Sequence, residues 1–107
     1  MVYDLIIIGS GAAGLSAALY AGRYRLKTLV IGKDFGGETA RAGIIWNYPG
    51  NKGVDGYELM KIMREQSLDA GAEIIEDPVT TIHNEGGCFE VSTDSGKKYN
   101  AKSIVLS

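Results

Sequence analysis

Leu5-Ile6-Ile7-Ile8-Gly9-Ser10-Gly11-Ala12-Ala13-Gly14 joins two contrasting patterns within ten residues. The first four are apolar and mostly β-branched, as in a strand covered on both faces. The glycines then fall at positions 1, 3 and 6 of a GxGxxG turn. From Ala12 to Tyr24 the chain is rich in Ala and Leu, with Leu15, Leu19 and Gly22 at helical spacing. Arg23 and Arg25 close this helix where its dipole favours cations. Thr28-Leu29-Val30-Ile31 reads as a second buried strand. Strand, helix and strand in about thirty residues form a βαβ unit, whose two strands run parallel. A GxGxxG between a strand and a helix has a physical purpose. The first glycine permits the tight turn, the second lets the backbone approach a pyrophosphate, and the third allows close helix–strand contact. The bare amides and positive helix end then hold the phosphates. This segment therefore predicts an α/β fold that binds a dinucleotide.

The composition is consistent with that reading. The chain has 107 residues, a formal net charge of −2 and 15 glycines. The length suits one domain. The charge balance contains no basic block that would attract nucleic acid. No apolar run approaches the ~20 residues of a membrane span, and Met1-Val2-Tyr3-Asp4 lacks the basic flank of a signal peptide. A soluble, cytoplasmic protein is expected. A single cysteine, Cys88, excludes an internal disulfide, a CxxC pair and a cysteine-rich zinc site. Glycine is about twice its usual ~7% share. Eleven of the 15 lie between Gly9 and Gly56 with no fixed period, which points to backbone turns with particular tasks.

Downstream, Gly32 to Gly53 reads as one long loop, with Trp46 and Tyr48 arguing against disorder. Asp55 and Glu58 form a capping-box pair. A helix follows to about Ala70, with Leu59, Met60, Met63 and Ser67 inward and Gly71 as its stop. Glu73-Ile74-Ile75 reads as a third strand. Segments 79–83, 88–93 and 98–100, divided by glycine-bearing turns, predict a three-stranded antiparallel meander. Ser103 to Leu106 forms a last buried strand. An acidic residue that bonds a ribose is expected at the end of the second strand. Ile31 is instead followed by Gly32 and Lys33, and the first acid is Asp34. Asp34 either reaches the adenosine ribose from one or two residues late or is a solvated loop charge.

Three motifs carry a family resemblance. They are Gly9-Ser10-Gly11-Ala12-Ala13-Gly14, then Phe35-Gly36-Gly37-Glu38, then Trp46-Asn47-Tyr48-Pro49-Gly50. In order and spacing they resemble the low-molecular-weight thioredoxin reductases among the pyridine nucleotide–disulfide flavoproteins. That family has GSGPAG, a GGQ-like tripeptide and an NWPG or NYPG segment. Here Ala12 replaces Pro and Glu38 replaces Gln. The resemblance implies a Rossmann-like FAD-binding domain over residues 1–107. It would be the N-terminal segment of a longer enzyme whose nicotinamide domain and C-terminal FAD segment are absent.

The resemblance also assigns residues. Gly9, Ser10, Gly11, Ala13 and Gly14 would hold the FAD pyrophosphate, and Gly32 and Lys33 would lie along the adenosine ribose. Gly36, Gly37 and Glu38 would pass the ribityl chain and flavin edge, chiefly through backbone amides. Asn47 would contact the flavin or ribityl region. Glu38 introduces a carboxylate that would disfavour the anionic reduced flavin unless it is paired or protonated. The implied activity is electron transfer from NADPH through FAD to a protein disulfide, with a thioredoxin-like partner and a homodimeric full-length enzyme. A ferredoxin–NADP reductase on the same scaffold and a stand-alone nucleotide-binding module are the alternatives.

The other reactive residues are quieter. His83 ends a strand without a partner at a telling spacing, and Cys88 reads as a small strand residue. Glu73, Glu76 and Asp77 show no metal-ligand pattern. The residues give no catalytic dyad, triad or metal site, and the family resemblance, whose redox cysteine pair and nicotinamide site lie in other segments, implies that this chain alone is inactive.

Overall fold

Strands β2 (Leu5–Ile8) and β3 (Thr28–Gly32) can be almost wholly apolar because both of their faces are covered. A computed structural model describes residues 1–107. The chain runs β1 (Val2–Tyr3), β2, α1 (Ala12–Arg23), β3, α2 (Gly37–Ala40), β4 (Ile44–Ile45), β5 (Val54–Asp55) and α3 (Gly56–Asp69). It continues through β6 (Glu73–Glu76), β7 (Val79–Glu85), β8 (Cys88–Thr93), β9 (Lys98–Ala101) and β10 (Ile104–Leu106). One parallel sheet has the order β10-β2-β3-β6, with Ile7 opposite Val30 and Ile6 opposite Ile104. On one face, Ile7 and Val30 pack with Ala18 of α1 and with Ala72. On the other, Ile6, Leu29 and Ile31 pack with Tyr3, Val91 and Ala101 of the second sheet. Period-two alternation along each strand thus feeds two cores. The result is three layers: helices, parallel sheet, antiparallel strands. This is the expected Rossmann-like α/β fold.

The helices form for reasons visible in the sequence. Asp55 Oδ2 accepts from the Glu58 amide at 3.2 Å and caps α3. Leu59, Met60 and Ser67 are buried, and Met63 is half-buried. The Ser67 hydroxyl lies 3.0 Å from the Leu15 carbonyl and 2.9 Å from that of Met63, stitching α3 to α1. Gly22 admits this approach, because a Cβ there would stand 2.8 Å from that of Ala70. The chain leaves α1 through Arg25 at φ 60°, with Leu26 N–H donating to Ala21 and Arg25 N–H to Gly22. That is a Schellman exit with arginine where glycine is usual.

Three sequence expectations need correction. Residues 32–53 are not one loop. They contain the single turn of α2, followed by β4, which pairs with β5. Gly36 and Gly37, at φ 70° and 55°, bend the chain into α2; this left-handed step is inexpensive only for glycine. The three-stranded antiparallel meander β7-β8-β9 forms as expected, but its sheet has an unforeseen fourth strand, because β1 pairs in parallel with β9 through Val2–Asn100 and Tyr3–Ala101. Two residues are too short to show a period. The first meander turn is also tighter than expected. Strand β7 continues to Glu85, opposite Cys88, leaving Gly86-Gly87 at φ 56° and 85° as a two-residue turn.

Tyr3 holds the short first strand in place. Its ring lies between the two sheets, and its hydroxyl donates to Glu73 Oε2 at 2.6 Å. Burial pushes its pKa up to about 12, helped by the hydrogen bond and charge of Glu73. A tyrosine in the unfolded chain ionises near ~10. The stabilisation is therefore full below pH ~10 and is lost as pH rises through about 12. Tyr3→Phe should cost about 1 kcal/mol at neutral pH through the lost hydrogen bond. It should also flatten the fall in melting temperature between pH ~10 and ~12. Thermal melts of both proteins across that range would check this; parallel alkaline slopes would show that Tyr3 does not supply the effect.

Candidate functional site

The turn after β2 opens at the carboxyl ends of β2, β3 and β10, where open α/β sheets place their ligand crevice. A cleft of about 520 Å³ lies there, lined by Gly9 to Gly14, Lys33, Asp34, Gly37 to Thr39, Arg41 and Ser107. Each glycine of the turn can be tested by asking what a methyl group would meet. At Gly9, with φ 116°, it would stand 2.5 Å from Ser107 Oγ, so Gly9 makes the turn and admits the end of β10. At Gly14 it would lie 1.9 Å from the Gly9 carbonyl oxygen, so Gly14 lets α1 press onto the strand. At Gly11 it would meet only the Gly36 carbonyl oxygen, at an ordinary 3.8 Å, and φ there is −81°. Nothing inside the chain requires glycine at position 11. Only an object in the cleft would.

The start of α1 is suited to an anion. Gly11 is its N-cap and provides no side-chain hydrogen bond, and the first turn holds no acidic residue. The first amides of the helix therefore face the cleft uncapped, with the positive end of the dipole behind them. Ser10 is used differently. It is buried, its hydroxyl donates to the Asp34 carbonyl at 2.9 Å, and its carbonyl accepts the Gly36 amide at 3.1 Å. Its side chain therefore ties the turn to the 33–36 segment. Gly32 makes this possible, since a Cβ there would overlap Ser10 Oγ at 2.0 Å.

Gly9, Ser10, Gly11, Ala13, Gly14, Lys33, Gly37 and Glu38 come together in the cleft. Gly32 and Gly36 are buried beneath it, against Ser10. Asn47 lies in an adjoining, mainly apolar cavity of about 330 Å³ with Ile45, Tyr48, Leu59 and Met63. Ala12 and Thr39 line both spaces and join them. Trp46 is 76% exposed, with its ring over Gly53. Asp34 does reach the cleft rim. The Glu38 carboxylate is paired, accepting from Arg41 Nη2 at 2.6 Å.

Sequence reasoning missed Ala12, Thr39, Arg41 and Ser107 as lining residues. Arg41 follows Glu38 by three residues, a spacing that acquires meaning only once 37–40 is helical. Ser107 arrives through the pairing of β10 with β2, and its hydroxyl donates to the Ile8 carbonyl at 3.0 Å. His83 and Cys88 lie in the antiparallel sheet and do not line the cleft. No group of His, Cys, Asp or Glu is arranged to hold a metal. No helix is long and apolar enough to cross a membrane.

The sheet order, the glycine turn and the cleft at the strand ends define a Rossmann-like α/β protein. The chain belongs to the pyridine nucleotide-disulphide oxidoreductase family, which it matches over residues 3–107. It is 43% identical over 106 residues to the thioredoxin reductase of Treponema pallidum, covering 97% of this chain and 34% of that protein. It is 42% identical over 107 residues to the bifunctional thioredoxin reductase/thioredoxin of Mycobacterium leprae, covering 98% of this chain and 23% of the other. The crystal structure of thioredoxin reductase from Streptococcus pyogenes superposes with a TM-score of 0.93 at 38% identity, over 98% of this chain and 34% of that one. The chain thus spans about a third of the length of the thioredoxin reductases it matches.

Two substitutions separate the roles of the glycines. Gly14→Ala should destabilise the fold by about 3 kcal/mol, because backbone must move to admit the methyl. Gly11→Ala should leave the melting temperature within a few degrees of the wild type, while weakening binding of an ADP-containing dinucleotide roughly tenfold or more. Thermal melts combined with FAD titration would check both. Tight FAD binding by a folded Gly11→Ala variant would contradict the assignment.

Proposed function

We propose that this chain is the FAD-binding part of a thioredoxin reductase-like oxidoreductase that passes electrons from NADPH through FAD to a protein disulfide. The observation that carries the proposal is Gly11, which the chain's own packing does not require and which only a ligand in the cleft would. The amides from Ser10 to Gly14 would hold the pyrophosphate. Gly32 and Gly36 support them through Ser10. Lys33 and Asp34, which line the cleft, would lie along the adenosine ribose. Gly37, Glu38 and, in the adjoining cavity, Asn47 would take the ribityl chain and flavin edge. FAD would supply the hydride-accepting chemistry, and this chain's residues bind and orient it. The family resemblance assigns the nicotinamide site, the redox cysteine pair and the homodimer contacts to the remainder of a longer protein.

Purified chain should bind FAD in preference to NAD, with visible flavin absorbance retained through gel filtration. Mixing it with the remaining two thirds of a related reductase should restore NADPH oxidation coupled to reduction of a disulfide. Micromolar NAD binding without FAD binding would overturn the cofactor assignment. Bound FAD with no turnover in the mixture would leave the chain a nucleotide-binding module.

A further inference from the structure

The FAD cleft is lined by four charged side chains, namely Lys33, Asp34, Glu38 and Arg41, and otherwise by glycine, alanine, serine and Thr39. The formal rim charges cancel. A diphosphate brings two negative charges, so every uncompensated carboxylate at this rim opposes it. Glu38 stands where the resembling family has a neutral glutamine, and its side chain is 94% exposed. One turn later, at an i,i+3 spacing, Arg41 Nη2 donates to Glu38 Oε1 at 2.6 Å. Both residues line the cleft. The hydrogen bond to Glu38 raises the arginine's pKa most, followed by the charge of Glu38; Asp34 adds a smaller effect.

An exposed pair of this kind adds little to folding. Its consequence lies in the field at the cleft. We infer that Arg41 is a positioning residue for the cofactor, holding the Glu38 carboxylate and cancelling its charge at the rim of the cleft that the diphosphate enters. The pair then does the work of a neutral side chain. Removing Arg41 alone would leave an uncompensated carboxylate on the rim of the anion's cleft, whereas removing both charges would restore the neutral rim. The inference rests on the FAD reading of the cleft.

The test is an FAD titration of the chain, followed by flavin fluorescence, for the wild type, Arg41→Gln, Arg41→Lys and the double variant Arg41→Gln/Glu38→Gln. At low salt Arg41→Gln should bind about fivefold more weakly, as expected for one unscreened charge at the rim. Arg41→Lys should recover most of that loss, and the double variant should bind as tightly as the wild type or more tightly. The loss should disappear near ~1 M salt, where screening acts within about 3 Å. Melting temperatures of the ligand-free proteins should coincide, which a purely structural role would not allow. Wild-type affinity in Arg41→Gln would overturn the inference. A double variant as weak as Arg41→Gln would also overturn it, since Arg41 would then act other than through Glu38. Failure of the wild type itself to bind FAD would instead overturn the FAD reading, and the wild-type titration alone shows it.

Discussion

The contact on which the structure depends is the approach of Gly14 to the carbonyl of Gly9. No side chain fits between them, since a single methyl would sit 1.9 Å from that oxygen. This closeness lets α1 start directly after the end of β2, with its uncapped first turn on the cleft. Burial follows from the same contact. With α1 pressed down, Ala18 seals Ile7 and Val30 from one side, and Leu15 meets Leu59 and Met60 of α3. The antiparallel sheet covers the opposite face through Val91 and Ala101. Fold and cleft are thus consequences of one local geometry.

Ser10 extends that geometry sideways. Its hydroxyl and carbonyl fasten Asp34 and Gly36, and Gly32 makes room for it. The segment 33–36 is thereby fixed as the second wall of the cleft, and α2 follows from its left-handed glycines. The second serine at the cleft, Ser107, performs a comparable task where β10 meets the turn, donating to the Ile8 carbonyl. In both cases a polar side chain that looks available for a ligand is occupied in holding backbone, and the amides are left to face the anion.

Much of this was legible in the residues. The parallel strands announced themselves as continuous β-branched runs. The α3 cap is a local side-chain-to-backbone bond that Asp55 and Glu58 specify together. The glycine turn was readable because its spacing and flanks agree. What escaped the reading depends on contacts between distant segments. Strand β1 exists because β9 lies beside it, and Tyr3 reaches Glu73 across the two sheets. Helix α2 is too short for any period to show. Arg41 became a site residue only when that single turn set it beside Glu38. Ser10 and Gly32 were legible as cleft residues, but their mutual packing was not, because it joins two strands' ends in space.

The central claim is that a dinucleotide diphosphate sits over the amides that begin α1. Amide-resolved NMR of the isotopically labelled chain during FAD titration tests it most directly. The account predicts the largest shifts at Ser10 to Gly14, with smaller ones at Lys33, Asp34 and Gly37 to Arg41, and none at the Gly86-Gly87 turn. Saturable binding that shifts the Phe35, Tyr57 and Arg64 amides instead, where a separate surface cavity lies, would contradict it.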